Sequence, residues 1–343
     1  MRKLLNTLYI LSEGSYLSLK NENVVVNMED GSHRDIPLLS IESIFCFSYK
    51  GASPALIGEC VERGIMISFF SPSGRFLALP TGRTNGNVLL RKKQNMISNT
   101  WEECAKIARN FIFGKVYNCK WLLERTLRDH GLRVDSEKIK SKSTYLTTIY
   151  NQLLNLTDLD VIRGMEGQAA NNYFDVFDEL IINQKEDFKF TSRSRRPPLD
   201  RVNALLSFGY TVLANDCASA LEGVGLDSYV GFMHKDRPGR ESLALDLMEE
   251  FRCLMVDRFV LTMINQRQIT AKHFITKENG SVYLNEDGRK AFFGQWQAKK
   301  KEELTHPFLK EKVCWGLVPY IQALLLARYL RGDLDGYPVF LWK

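Results

Sequence analysis

The apolar residues of this chain change their spacing near residue 80, and that change restricts the fold more than any other feature. Before it lie short runs rich in β-branched and aromatic residues: "TLYI", "SYLSL", "NVVVNM", "SIFCFSY", "IMISFF" and "RFLAL". Gly, Asn, Asp, Ser and Pro separate them, the pattern of strands joined by turns. Only residues 54–63 have helical spacing in this part. A turn-rich stretch, "PTGRTNGN" (80–87), reads as a linker. From about Leu89 onward the apolar positions recur every three or four residues. This spacing predicts helices over 101–127, 143–154, 165–182, 200–221, 242–265, 286–301 and 317–330. The chain's 343 residues also exceed the usual single core. The expected architecture is therefore α+β with two domains: a small β-rich N-terminal domain (1–80), a linker and start of the helical region (81–100), and a larger all-α domain (101–343).

Charge and cysteines narrow the function classes. Lys and Arg number 46 against 40 Asp and Glu, so the net charge of +6 permits a nucleic-acid partner without demanding one. Where the charges cluster must decide. Seven scattered cysteines with no C-x-x-C pair fit reduced, buried thiols rather than a disulfide frame or a zinc site. The opening "MRKLLNTLYIL" has basic residues before an apolar run, but Glu13 follows and no small-residue cleavage site appears, so it reads as a first strand. No apolar stretch reaches membrane-spanning length; "VPYIQALLLARYL" is interrupted by Gln322 and Arg328. A soluble, cytoplasmic protein is expected. Neither a G-x-x-x-x-G-K-[ST] loop nor a G-x-G-x-x-G turn supports nucleotide hydrolysis.

Three segments carry candidate chemistry. In "GFMHKDRPGRESLALDLMEEFR" (231–252), Leu243, Ala244, Leu247, Met248 and Phe251 share one helical arc, and Asp246, Glu249 and Glu250 fall on the other. Asp246 and Glu249, one turn apart, can point at one small volume, and a fold-back at Pro238 and Gly239 can bring His234 near them. A solvated charged face is the alternative. In "RGMEGQAANNYFDVFDEL" (163–180), Glu166 stands between Gly164 and Gly167 at an expected helix start, where simple capping would also explain it. If Glu166 faced His234 and Glu249, one imidazole and two carboxylates would suit Mg²⁺ or Mn²⁺ better than structural zinc. In "TSRSRRPPLDRVNALLSFGY" (191–210), Arg193, Arg195, Arg196 and Arg201 surround a proline break, and Arg237 and Arg240 flank His234. Dense arginine at a loop-to-helix junction suits phosphate oxygens, with a solvated linker as the alternative. The cluster Lys299, Lys300 and Lys301 reads as an ordinary helix surface. Acids that recruit a divalent cation beside arginines that hold DNA match what phosphodiester chemistry requires.

The segments "RGMEGQAANNYF", "RSRRPPLDRVNALLSFGYTVL" and "LDSYVGFMHKDRPGRESLALDLMEEFR" resemble the CRISPR-associated endonuclease-integrase family, the catalytic subunit of the spacer-acquisition complex. The order of β-rich head, helical body, glutamate, arginine-rich segment, histidine and acidic helix extends the resemblance over nearly the whole chain. It implies Glu166, His234 and Glu249 as ligands of Mg²⁺ or Mn²⁺, and Asp246 as a supporting acid. Many members have Asp where this chain has Glu249. Tyr210 stands where the family often has a tyrosine near the reactive DNA end. The resemblance further implies a homodimer formed through the β-rich head, with a small ferredoxin-like partner protein bridging two dimers. The implied reaction joins the 3′-hydroxyl of a captured double-stranded DNA fragment to a CRISPR repeat by transesterification. The ending "DGYPVFLWK" is similar to the form accompanying type I-C systems. A plain metal-dependent DNA nuclease and a non-catalytic DNA-binding scaffold are the competing readings.

Overall fold

The computed structural model describes the chain except residues 1–5, 72–75, 81 and 83–87. The linker expected at 80–87 therefore lies, but for Pro80 and Gly82, outside the described residues. The head holds β1 (Thr7–Ile10), β2 (Tyr16–Lys20), β3 (Asn23–Asn27), β4 (His33–Pro37), β5 (Ser43–Cys46), α1 (Pro54–Glu62), β6 (Met66–Phe70) and β7 (Phe76–Ala78). Strands β2, β3 and β4 form an antiparallel meander. Asn21 and Glu22 make its first two-residue turn, both with positive φ, the twist such a hairpin requires. The second sheet runs β1-β5-β6-β7, parallel except for β7. Parallel neighbours need crossovers; the meander supplies one and α1 the other. Ser53 caps α1 by accepting from the Leu56 N–H, with Pro54 in its first turn.

Alternation along β5 explains the unbroken run "SIFCF". Ile44 and Cys46 join the head's own core with Leu17, Val24, Leu56 and Ile67. Phe45 and Phe47 point to the opposite face and enter the core of the helical body. There Tyr9 stacks on Phe293 at 3.9 Å, and Phe47 lies 6.1 Å from Phe208. The sheet is buried on both faces, so head and body share a hydrophobic seam.

The body contains α2 (Val88–Ser98), α3 (Trp101–His130), α4 (Ser136–Leu153), α5 (Leu159–Phe174), α6 (Arg201–Gly223), α7 (Ser242–Met248), α8 (Arg258–Asn265), α9 (Glu286–Lys301) and α10 (Val318–Arg331). At 30 residues, α3 is about 45 Å long, and it packs against both α4 and α5. Among the described residues no helix is long and apolar enough to cross a membrane.

The structure corrects three expectations. The body is not all helical: hairpins β8 (Phe274–Thr276)/β9 (Val282–Leu284) and β10 (Glu303–Thr305)/β11 (Lys312–Cys314) flank α9. The single helix expected over 242–265 is broken: α7 ends at Met248, and a π-helical stretch, Arg252–Asp257, precedes α8. Finally, α5 starts six residues before the expected 165, because Asp158 caps the Asp160 and Val161 N–H groups at 2.8 and 3.0 Å. Both glycines beside Glu166 lie inside that helix.

Candidate active site

Glu166 therefore projects from the middle of α5, where helix-end capping cannot explain it. Its carboxylate Oε1 makes a very short contact with the Lys115 Nζ. Lys115 stands in mid-α3 and is 7% exposed. The same ammonium lies 2.8 Å from Glu249 Oε2, so one buried cation holds two carboxylates from distant segments. Arg252 donates to the other Glu249 oxygen, Oε1, at 2.8 Å. Burial pushes the Glu249 carboxyl up, but Arg252, Lys115 and His234 outweigh it and hold it well below the usual carboxylate range. Burial likewise works against the charge on Lys115, and Glu249 and Glu166 overcome it, leaving the ammonium raised above its ordinary value.

Asp246, Glu249 and Glu250 do not form the solvated face that periodicity allowed; all three are buried. Asp246 Oδ2 accepts the Phe232 and Met233 N–H groups at 2.7 and 2.9 Å, and Oδ1 accepts the His234 N–H at 3.0 Å. The His234 ring Nδ1 lies 2.6 Å from the same Oδ1. A carboxylate can only accept, so Nδ1 carries a proton, and in the neutral form of the ring the lone pair falls on Nε2. Gly231 makes this close approach possible: an added Cβ would lie 2.7 Å from Ser242 Cβ and 2.9 Å from Asp246 Oδ2.

The basic residues divide by orientation. Arg195, Arg196 and Arg237 are exposed. Arg193 turns inward, donating to Asn203 Oδ1 at 2.6 Å and Ser207 Oγ at 3.1 Å, and burial pushes its guanidinium down to about 10. Arg201 donates to the Asp187 carbonyl at 2.5 Å, and Arg240 Nε lies 3.4 Å from Ser242 Oγ. Tyr210 is buried rather than offered to a DNA end. Its hydroxyl donates to Asp257 Oδ1 while Arg252 and Arg193 lie over its ring at 4.2 and 5.4 Å. As placed, it orients Arg252 toward Glu249. Lys300 is no surface residue either; it is buried and pairs with Asp216 at 3.1 Å, while Lys299 pairs with Glu302 at 2.6 Å.

The sequence reading brought out neither Lys115 nor Arg252. Lys115 did leave a signal: it interrupts the apolar stripe of Ala108, Phe111, Cys119 and Leu122 on α3. A lone lysine on a buried face implies an acidic partner elsewhere in the chain.

Among the described residues no three His, Cys, Asp or Glu side chains stand grouped for a metal ion. The donors themselves fit one. Glu249 Oε2 is buried against the Lys115 ammonium, a cation that Glu249 shares with Glu166 next to an oriented imidazole. Hard oxygens with one nitrogen suit a small divalent ion.

Fold and site together define a mixed α+β protein in which N-terminal strands lean on a helical region built around buried acid–base clusters. A family profile described as CRISPR associated protein Cas1 matches residues 8–298. The CRISPR-associated endonuclease Cas1 1 of Chlorobaculum tepidum is 47% identical over 343 residues, covering all of both chains. The CRISPR-associated endonuclease Cas1 2 of Rhodospirillum rubrum is 46% identical over 347 residues, again covering both in full. A solved Cas1 protein from Thermotoga maritima superposes with a TM-score of 0.81 at 25% identity, covering 97% of this chain and 99% of that one. The chain belongs to the Cas1 family.

Proposed function

We propose that this protein is a divalent-metal-dependent DNA endonuclease and integrase of CRISPR adaptation. The observation that carries the reading is the convergence of Glu166 and Glu249 on one buried cation, with His234 close to Glu249. Relatives covering the whole chain are named CRISPR-associated endonucleases, which supports the nuclease part. Glu166, Glu249 and His234 Nε2 would hold Mg²⁺ or Mn²⁺. Once bound, such an ion polarises the scissile phosphate and offsets the charge that builds on it during in-line displacement.

The chain's own groups account for the rest. Asp246 fixes the His234 ring and its tautomer. Arg252, placed over the Tyr210 ring, orients Glu249. The exposed Arg195, Arg196 and Arg237 hold DNA phosphates and set the register of the two DNAs. The captured fragment's 3′-oxygen then bonds to phosphorus as the repeat's own 3′-oxygen leaves; with water as nucleophile the same site cleaves. Holding the strands in line supplies much of the rate. In this reading residues 1–80 form the dimerisation domain, and a small ferredoxin-like partner bridges two homodimers in the cytoplasm. The type I-C assignment rests on the ending "DGYPVFLWK".

A short duplex with free 3′-hydroxyls, a repeat-bearing plasmid and Mn²⁺ test the proposal. Glu166→Ala and His234→Ala are each expected to abolish joined product while DNA affinity stays within about twofold. Cleavage without joining in the unaltered protein would favour a plain nuclease. Unchanged joining in either variant would leave a non-catalytic role for these side chains.

A further inference from the structure

We infer that Lys115 is a built-in counter-cation: its ammonium holds Glu166 and Glu249 together until a divalent ion arrives, then turns into the adjoining cavity to meet a DNA phosphate. This rests on the metal reading above and adds a coupling between ion and DNA.

Two cations serve Glu249, and they differ in how easily they can leave. Arg252 is planar, stacked on Tyr210 at 4.2 Å and hydrogen-bonded to Oε1. Lys115 is a compact charge on a flexible four-carbon stem with freely rotating donors. It lies 2.8 Å from Oε2, the carboxylate oxygen that Arg252 does not hold. The movable cation thus stands on the oxygen that its departure would open to another ligand.

The surroundings say where the ammonium goes. Lys115 borders a small cavity whose walls include Ala169, Ala170, Arg195, Tyr210 and Arg252. Ala169 and Ala170 lie one turn beyond Glu166 on the same face of α5, and their short side chains leave room beside it. The cavity's carboxylate, Asp257, is already engaged by Tyr210. An ammonium arriving among Arg195 and Arg252 therefore requires an anion from outside.

Charge balance points the same way. Glu166 and Glu249 are matched by Lys115 and Arg252. Exchanging the ammonium for a doubly charged ion leaves this cluster positive, and the displaced lysine adds to that charge next door. Both changes favour a phosphodiester. A DNA phosphate gives the displaced ammonium a partner, so each ligand tightens the other, as linkage requires.

Amine acylation read by mass spectrometry tests this on the full, unaltered chain, with bound Mn²⁺ counted by electron paramagnetic resonance. Lys115 should be protected without metal, labelled several-fold faster at saturating Mn²⁺, and protected again when a short duplex is added. The exposed Lys301 should label alike throughout. As a second measurement, Lys115→Met should bind Mn²⁺ about tenfold more tightly and lose the tightening that DNA confers. If Mn²⁺ binds and Glu166→Ala weakens it, but Lys115 stays equally protected with and without the ion, the displacement is wrong and the metal reading stands. Mn²⁺ binding indifferent to both Glu166→Ala and Glu249→Ala would overturn both.

Discussion

Glu249 and Glu250 are adjacent and both buried, yet their surroundings set them to opposite charge states. Around Glu249 stand the full positive charges of Lys115 and Arg252, which keep it ionised. Around Glu250 stand neutral donors: the Tyr337 hydroxyl, Gln322 Nε2 at 3.0 Å and the Phe340 N–H at 2.7 Å. Those dipoles offset only part of the desolvation, and burial pushes the Glu250 carboxyl up to about 8. The first acid faces the proposed metal position. The second is a joint: Asn118 on α3 donates to the Glu250 and Phe340 carbonyls at 2.9 Å each and accepts the Trp342 N–H at 3.1 Å. Burial alone does not decide the state of a carboxyl; whether its partners are charges or dipoles does.

The sharpest way to break this comparison is to neutralise each acid without changing its size. Glu249→Gln removes the carboxylate paired with Arg252 and leaves Lys115 with one partner instead of two. The expected result is complete loss of DNA joining and a stability loss of about 3–5 kcal/mol at neutral pH. The pH dependence carries a sign. A carboxyl held low in the fold stabilises above its unfolded range, and that contribution disappears as pH falls through its folded value. The melting gap between the two proteins should therefore narrow in acid. A constant gap would show that shape rather than charge matters at this position.

Glu250→Gln should do less, and with the opposite sign. A carboxyl raised in the fold stabilises fully below the ordinary glutamate range, and that contribution is lost as pH rises through about 8. The amide does not titrate, so the variant should gain on the unaltered protein as pH climbs from 5 to about 8 and level off beyond it. Joining activity at pH 7 should persist. Melting curves across that range check the first expectation and a joining assay the second. Loss of joining in a well-folded Glu250→Gln protein would mean that the two neighbours do not divide the work as described.

How much of this was legible in the sequence follows from what each signal depends on. Alternation gave the head's strands, because side-chain period is a local property. The bounds of α9 match the expected 286–301, and α10 lies within a residue of 317–330, since capping chemistry marks them. The broken segment after α7 was not legible. Its acids fall on the arc that a local rule assigns to solvent, and only Lys115, Asn118 and Tyr337, distant in sequence, reveal that this arc is buried. Glu166 was placed at a helix start because two glycines flank it. Glycine lowers helix propensity without forbidding a helix, and here the Asp158 cap upstream prevails. The family motifs pointed to Glu166, His234 and Glu249, while the counter-charges beside the two glutamates required coordinates.

The smallest expected effect comes from trimming one dipole from the joint. Tyr337→Phe removes a hydroxyl that donates to Glu250 and accepts from Gln322 Nε2 at 2.9 Å, and it keeps the ring that packs on Phe111 at 5.4 Å. The Phe340 N–H and Gln322 still serve the carboxyl, so the cost should be about 1 kcal/mol. With one stabilising donor gone, Glu250 should titrate still higher, moving the alkaline fall in melting temperature to higher pH. Joining should be unaffected, because the cations that govern Glu249 are untouched. A Tyr337→Phe protein that melts normally but joins poorly would show that the joint transmits to the acid next to it, and the contrast between the two glutamates would then be one of degree.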